Sequence, residues 1–137
     1  MSPYSRVCAG EGVVLIRTPN KGKAVVATRD FAAGQVVSSC PVIVLPSVEE
    51  FPDTVLSNYY MYWDEACSAI ACGYAQFLNH SCEPNVDVDR NYAAETMEVH
   101  ALRDIRAGEE LTYRYHCQPW FAPEPPLRLP AAALVAR

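Results

Sequence analysis

Residues 74–88 read YAQFLNHSCEPNVDV. Apolar residues run directly into Asn79-His80-Ser81-Cys82, then Pro84-Asn85, and the stretch ends in the alternation Val86-Asp87-Val88. A cluster of hydrogen-bonding side chains at the edge of an apolar segment costs stability unless each group finds a partner. Either the cluster pins the fold internally or it meets a ligand. The alternating tail has the period of a half-buried strand.

Outward from this stretch, periodicity predicts further short strands at 13–17, 24–28, 36–44, 96–102 and 111–115. In 96–102, Met97, Val99 and Ala101 share one face, with Glu98 and His100 on the other. Pro41 interrupts 36–44 and suggests an edge or a bend. Two stretches echo each other: RDFAAGQVV (29–37) and RDIRAGEEL (103–111). Each reads as a tight turn, with Gly34 or Gly108 tolerant of positive φ, leading into a strand. They suggest one β-turn-β unit used twice in a single sheet-rich domain. The middle of the chain holds the helix candidates: 55–62, capped by Asp53, and 66–71, ended by Gly73. The region 117–137 carries five of the eleven prolines, and little regular structure and a frayed end are expected there.

The length of 137 residues suggests one domain with one real core. The formal net charge of -5 argues against general nucleic-acid binding, which needs a basic footprint. It suits a basic peptide partner, steered by Glu49, Glu50 and Asp53 or by Asp64 and Glu65, and equally suits ordinary solubility. The N-terminus has no basic segment followed by an apolar one, and no apolar run approaches the roughly 20 residues that span a bilayer. The six cysteines form no CxxC pair, so reduced thiols in an intracellular setting, cytoplasmic or nuclear, are expected, with no membrane partner.

His80, Cys82, His116 and Cys117 are ligand types, but H-x-C and H-C match no common zinc spacing, and no metal is expected. A Cys-His-Asn protease has only the proximity of His80 and Cys82 in its favour, and proximity in sequence proves nothing about a site assembled in space.

Three pieces taken in order, NKGKAVVAT (20–28), FLNHSCEPN (77–85) and GEELTYRY (108–115), closely resemble the SET-domain protein lysine methyltransferases. The family pattern is a GxG turn, an NHSCxPN segment and a GEELTYDY strand, and the resemblance covers roughly residues 11–121. It implies a mainly β, β-clip fold of short strands in small sheets, a few short helices and a knot-like crossing of the NHS segment with the C-terminal tyrosine strand. It divides the chain into an N-terminal extension (1–10), the SET domain (11–121) and a Pro/Ala-rich tail (122–137).

The resemblance also implies a cofactor, S-adenosyl-L-methionine, met by the backbone of the turn Lys21, Gly22, Lys23 and Ala24, by Asn79 and His80, by Tyr115 and by Trp120. Ser81 and Asn85 are expected to hold the segment in place. Tyr115 matches the family's catalytic tyrosine and Tyr113 its Phe/Tyr switch position, where Tyr implies mono- or dimethylation. Tyr60 is the choice for a channel wall, while Tyr59, Tyr62 and Trp63 are expected in the core. The substrate implied is a lysine in a basic protein segment, a histone tail being one example, and small members of the family are compatible with a homodimer. Ala24 stands where the pattern has its second Gly, Arg114 where it has Asp, and Gln76 where Arg is frequent. No cysteine-rich segment of the post-SET type follows Tyr115, so Cys82 is expected as a buried thiol. These departures keep open a second reading, a catalytically weak SET-like module that binds a protein partner.

Overall fold

Strands β1 (Ser5–Ala9), β2 (Val13–Arg17) and β3 (Lys23–Ala27) form an antiparallel sheet in that order. Every residue of β2 and β3 is buried except Arg17 and Lys23 at their paired ends. The two-residue period sends Val13, Leu15, Val25 and Ala27 into the main core. It sends Val14, Ile16, Ala24 and Val26 into a smaller second core. This double burial is why both strands read as continuous apolar runs rather than alternations. The second core is closed by Leu129 and Leu134. The computed structural model describes residues 3–46, 49, 54–116, 124–130 and 134. Within them, the proline-rich end has little regular structure, as its composition predicts. It is not frayed at Leu129 and Leu134, which are buried because the outer face of β2 and β3 needs an apolar cover.

The second sheet has the order β5-β6-β4-β9-β8, from β4 (Val36–Pro46), β5 (Met61–Tyr62), β6 (Cys67–Ala71), β8 (Val86–Asn91) and β9 (Thr96–Ala101). Strand β4 is central, not an edge. Its first half pairs with β9 as far as Pro41↔Thr96, and its second half pairs with β6 from Val42↔Ala71 onward. Pro41 thus sits where the strand changes partners, and its carbonyl accepts from Cys72 N–H at 2.9 Å. On β9 the expected faces hold: Met97, Val99 and Ala101 are buried, and Glu98 is exposed.

Both helix expectations are corrected. Residues 67–71 form β6, because Ala69 and Ala71 are buried opposite Val44 and Val42 of β4, and this pairing outweighs alanine's helical preference. The 55–62 region holds only a 3-10 turn, Val55–Asn58, with no buried residue and no side-chain cap from Thr54. Met61 and Tyr62 pair with β6 instead. A second 3-10 turn, Tyr74–Phe77, leads into the motif.

The echo is visible in space. Phe31 and Ile105 exchange N–H···O bonds of 2.8 Å each. Asp104 Oδ1 accepts from Ala33 N–H and Asp30 Oδ1 from Ala107 N–H, both at 2.9 Å. Gly34 and Gly108 take φ of 85° and 96°. Each copy's aspartate therefore caps the other copy's turn, which explains why Arg-Asp recurs at the same distance before each glycine.

Candidate active site

Strand β7 (Asn79–His80) lies parallel to β10 (Thr112–Tyr113), with Asn79 opposite Thr112 and His80 opposite Tyr113. The expected 111–115 strand is thus two residues long, and the flanking residues bond elsewhere. Ser81 N–H continues the contact, donating to Tyr113 O at 3.0 Å. Asn85 finishes it. Its Nδ2 donates to Glu110 O at 2.8 Å, its Oδ1 accepts from Thr112 N–H at 2.9 Å, and its own N–H donates to Thr112 O at 3.2 Å. These bonds answer the question raised by the motif, since its polar groups replace a strand partner for residues 110–113.

Asn85 and Ser81 therefore serve the segment itself. Ser81 Oγ accepts from Glu83 N–H at 3.0 Å. His80 is buried, and its Nδ1 accepts from Tyr115 N–H at 3.0 Å. The proton of the neutral ring is then on Nε2, 3.7 Å from Cys82 Sγ. Burial first, and the Arg114 guanidinium second, hold the imidazole below its ordinary pKa, which favours that neutral form. Tyr115 is half-buried. Its ring meets His80 edge-on with centroids 5.1 Å apart, and Tyr113 at 5.0 Å. Its hydroxyl donates to Leu78 O at 3.1 Å. Tyr113 is buried in the main core.

The turn before β3 is built by Thr18, whose Oγ1 accepts from Lys21 N–H at 2.8 Å and donates to Gly22 O at 3.0 Å. Gly22 has φ of 72°. Lys23 O accepts from Asn79 Nδ2 at 3.0 Å, which ties the turn to the motif. Lys23 Nζ lies 5.8 Å from the Phe77 ring centre. Ala24 has no exposed surface and faces the second core. Its backbone is ordinary strand, so the missing glycine causes no strain. Tyr60 is half-buried directly ahead of β5. Trp120 and Cys117 lie outside the described residues.

Three expectations are corrected. Tyr59 is half-buried rather than in the core, its ring edge-on to Phe77 with centroids 6.2 Å apart. Cys82 is exposed, because the turn after Ser81 leaves the sheet at that point. Tyr62 is only half-buried. It stacks on His116 with centroids 3.6 Å apart, and the Arg90 guanidinium lies 5.1 Å from its ring. Trp63 is in the core as expected. Among the described residues, one group has metal-ligand spacing away from the motif: Asp87, Asp89 and His100, with ligand atoms within 4.8 Å of one another.

Sequence reasoning missed Glu109 and Glu110. Both are buried, at 5% and 1% exposure. Burial alone would raise the Glu109 carboxyl, but the Arg103 hydrogen bond at 3.0 Å, the Arg106 N–H and Arg128 together hold it below its ordinary value. Glu110 accepts from Lys21 Nζ at 2.6 Å, Asn79 Nδ2 at 2.8 Å and Leu127 N–H at 3.0 Å. The available signal was two adjacent acids running straight into Leu111-Thr112-Tyr113 with no polar spacer.

The SET-domain family model matches residues 22–116, and the chain belongs to that family. It is 31% identical over 111 residues to a histone-lysine N-methyltransferase specific for H3 lysine-37 from Schizosaccharomyces pombe, covering 78% of this chain and 75% of that protein. It is 34% identical over 116 residues to human histone-lysine N-methyltransferase 2B, covering 77% of this chain but 4% of that much longer protein. The solved structure of KRYPTONITE in complex with mCHG DNA and SAH superposes with a TM-score of 0.59 at 27% identity, over 74% of this chain and 23% of that one.

Proposed function

We propose that this chain transfers a methyl group from S-adenosyl-L-methionine to the side-chain amine of a protein lysine. The observation that carries the reading is the parallel pairing of β7 with β10, which brings Asn79 beside Thr112 and His80 beside Tyr113, with Tyr115 against the His80 and Tyr113 rings and its hydroxyl on the Leu78 carbonyl. When bound, the cofactor supplies an electrophilic methyl on a sulfonium. A cationic centre is suited by aromatic rings and acceptor oxygens. Phe77, Tyr113, Tyr115 and the Leu78 carbonyl are groups of that kind, and the backbone of the Lys21–Lys23 turn, with Trp120, completes the set assigned to the cofactor; the Lys21 side chain is spent on Glu110.

A lysine amine has a pKa near 10.4, so presenting it neutral at pH 7 costs about 4.6 kcal/mol. A channel lined by Tyr60, Tyr113 and Tyr115 disfavours the ammonium by desolvation while offering hydroxyl tips. Tyr115, anchored at its N–H by His80, is the group assigned to the reacting centre, and Tyr113 to control of product methylation, limiting it to the mono or dimethyl state. The substrate class is a basic lysine-containing segment such as a histone tail, in keeping with the relatives' names and with the net charge of -5. The assigned domain is 11–121, with 1–10 and 122–137 flanking it.

A second reading, a SET-like module that binds a protein partner with weak catalysis, is favoured by one feature. Ala24 has no exposed surface where the family's second glycine would meet the cofactor. Labelled S-adenosyl-L-methionine, offered with histones and with a cell lysate, decides between them. Label on lysine that is lost in Tyr115→Phe is the result expected. Cofactor binding without label on any protein would shift the weight to the second reading.

A further inference from the structure

Glu110 is a buried charge that none of these roles uses. Its side chain has no exposed surface, and that of its partner Lys21 is 7% exposed. A buried carboxylate needs a counter-charge and donors for its remaining lone pairs. Oε1 receives Lys21 Nζ at 2.6 Å and Leu127 N–H at 3.0 Å, and Oε2 receives Asn79 Nδ2 at 2.8 Å. Lys21 Nζ also donates to Pro125 O at 3.3 Å. The backbone of Glu110 is engaged as well, by Leu127 O on its N–H and by Asn85 Nδ2 on its carbonyl.

The consequence falls on Asn79. Its Nδ2 has two N–H bonds. One goes to Lys23 O at 3.0 Å and the other to Glu110 Oε2. An amide turned the other way would set its oxygen against both a carbonyl and a carboxylate, so the orientation is fixed with Oδ1 turned away from Glu110. The same carboxylate holds the Lys21 turn from one side and residues 125–127 from another.

We propose that Glu110 is a positioning residue for the cofactor site. It fixes the Lys21–Lys23 turn and the amide of Asn79 in one geometry, so that Asn79 Oδ1 is offered to a cationic group of the ligand. This rests on the methyltransferase reading. Glu110 itself touches no reactant.

The test is calorimetric binding of S-adenosyl-L-methionine and steady-state turnover by the full chain, with melting temperatures alongside. The variants are Glu110→Gln, Lys21→Met and the two combined. Each single change strands a buried charge, whereas the combined variant removes both, a replacement that is often neutral for buried pairs. Each single variant is expected to weaken cofactor binding about tenfold or more. Its kcat at saturating cofactor stays within about threefold, a loss confined to binding. The combined variant regains most of the affinity. A merely structural role would lower the melting temperature and leave the affinity of the folded protein alone. Folded single variants with wild-type affinity, or a kcat loss at unchanged affinity, overturn the proposal. Should Glu110→Gln fail to fold, Lys21→Met alone carries the test, and wild-type affinity in it is equally fatal. A wild-type chain that binds no cofactor overturns the methyltransferase reading and this inference together, while binding that is equal in all variants overturns this inference alone.

Discussion

Replacing Asn85 by alanine removes two side-chain bonds to the backbone of residues 110–112 and leaves the Glu110 carbonyl and the Thr112 N–H buried. Each orphaned group costs about 1–3 kcal/mol. The variant should unfold at clearly lower denaturant while the same substitution at the exposed Glu83 changes little, and equal midpoints would refute the strand-replacement role. Tyr115→Phe tests a different kind of residue. It deletes a hydroxyl whose partner is a carbonyl beside the site, so turnover should fall about a hundredfold or more with cofactor affinity kept. Tyr113→Phe removes a hydroxyl at the proposed switch position, and mass spectrometry should find a higher methylation state in its product than in wild type. Mainly trimethyl-lysine from the wild type itself would end that assignment. At this scale the polar motif was legible because its residue types and spacing are specific. Glu110 was less so, because an acid set against an apolar strand hints at burial but does not name its partner, a lysine 89 positions away.

Among the elements, the two echoing turns offer a matched comparison. Gly34 and Gly108 both hold positive φ, so alanine at either pays the left-handed penalty of about 1–2 kcal/mol. Open space surrounds the Cβ position at Gly34, whereas at Gly108 that atom would lie 2.3 Å from Leu129 O. Gly108→Ala should therefore destabilise more than Gly34→Ala and should expose the 124–130 segment to protease; equal losses would mean that the segment yields freely. The strands at 13–17 and 96–102 were legible because burial on two faces and on one face leave different periods. Strand β6 was not. CSAIA has no strong period, and only its pairing with β4 decides its conformation. The docking of Leu129 and Leu134 was hidden for a related reason, since the need for a cover over β2 and β3 arises in the folded sheet and leaves no local mark near the prolines.

Across the whole molecule, two groups couple folding to pH through opposite chemistry but in the same direction. The folded His80 pKa lies below the ordinary 6.5, with burial the larger cause and Arg114 the smaller. Below that pH the unfolded chain takes up a proton that the folded chain resists, so stability is complete above about 6.5 and declines as pH falls through the folded value. Glu109 has a folded pKa below the ordinary 4.5 because its arginine partners outweigh burial. Its contribution is complete above that value and is lost as pH falls through the lower, folded one. The expected melting-temperature profile is flat above neutrality, with one decline starting near pH 6.5 and another below about 4.5. His80→Gln should remove the first decline and keep the second; Glu109→Gln should remove the second and keep the first. The two side chains hold the backbone on either side of β10, one gripping Tyr115 N–H and the other Arg106 N–H. A first decline that survives in His80→Gln would place the titrating group elsewhere, and the neutral imidazole would lose its role in holding the tyrosine strand.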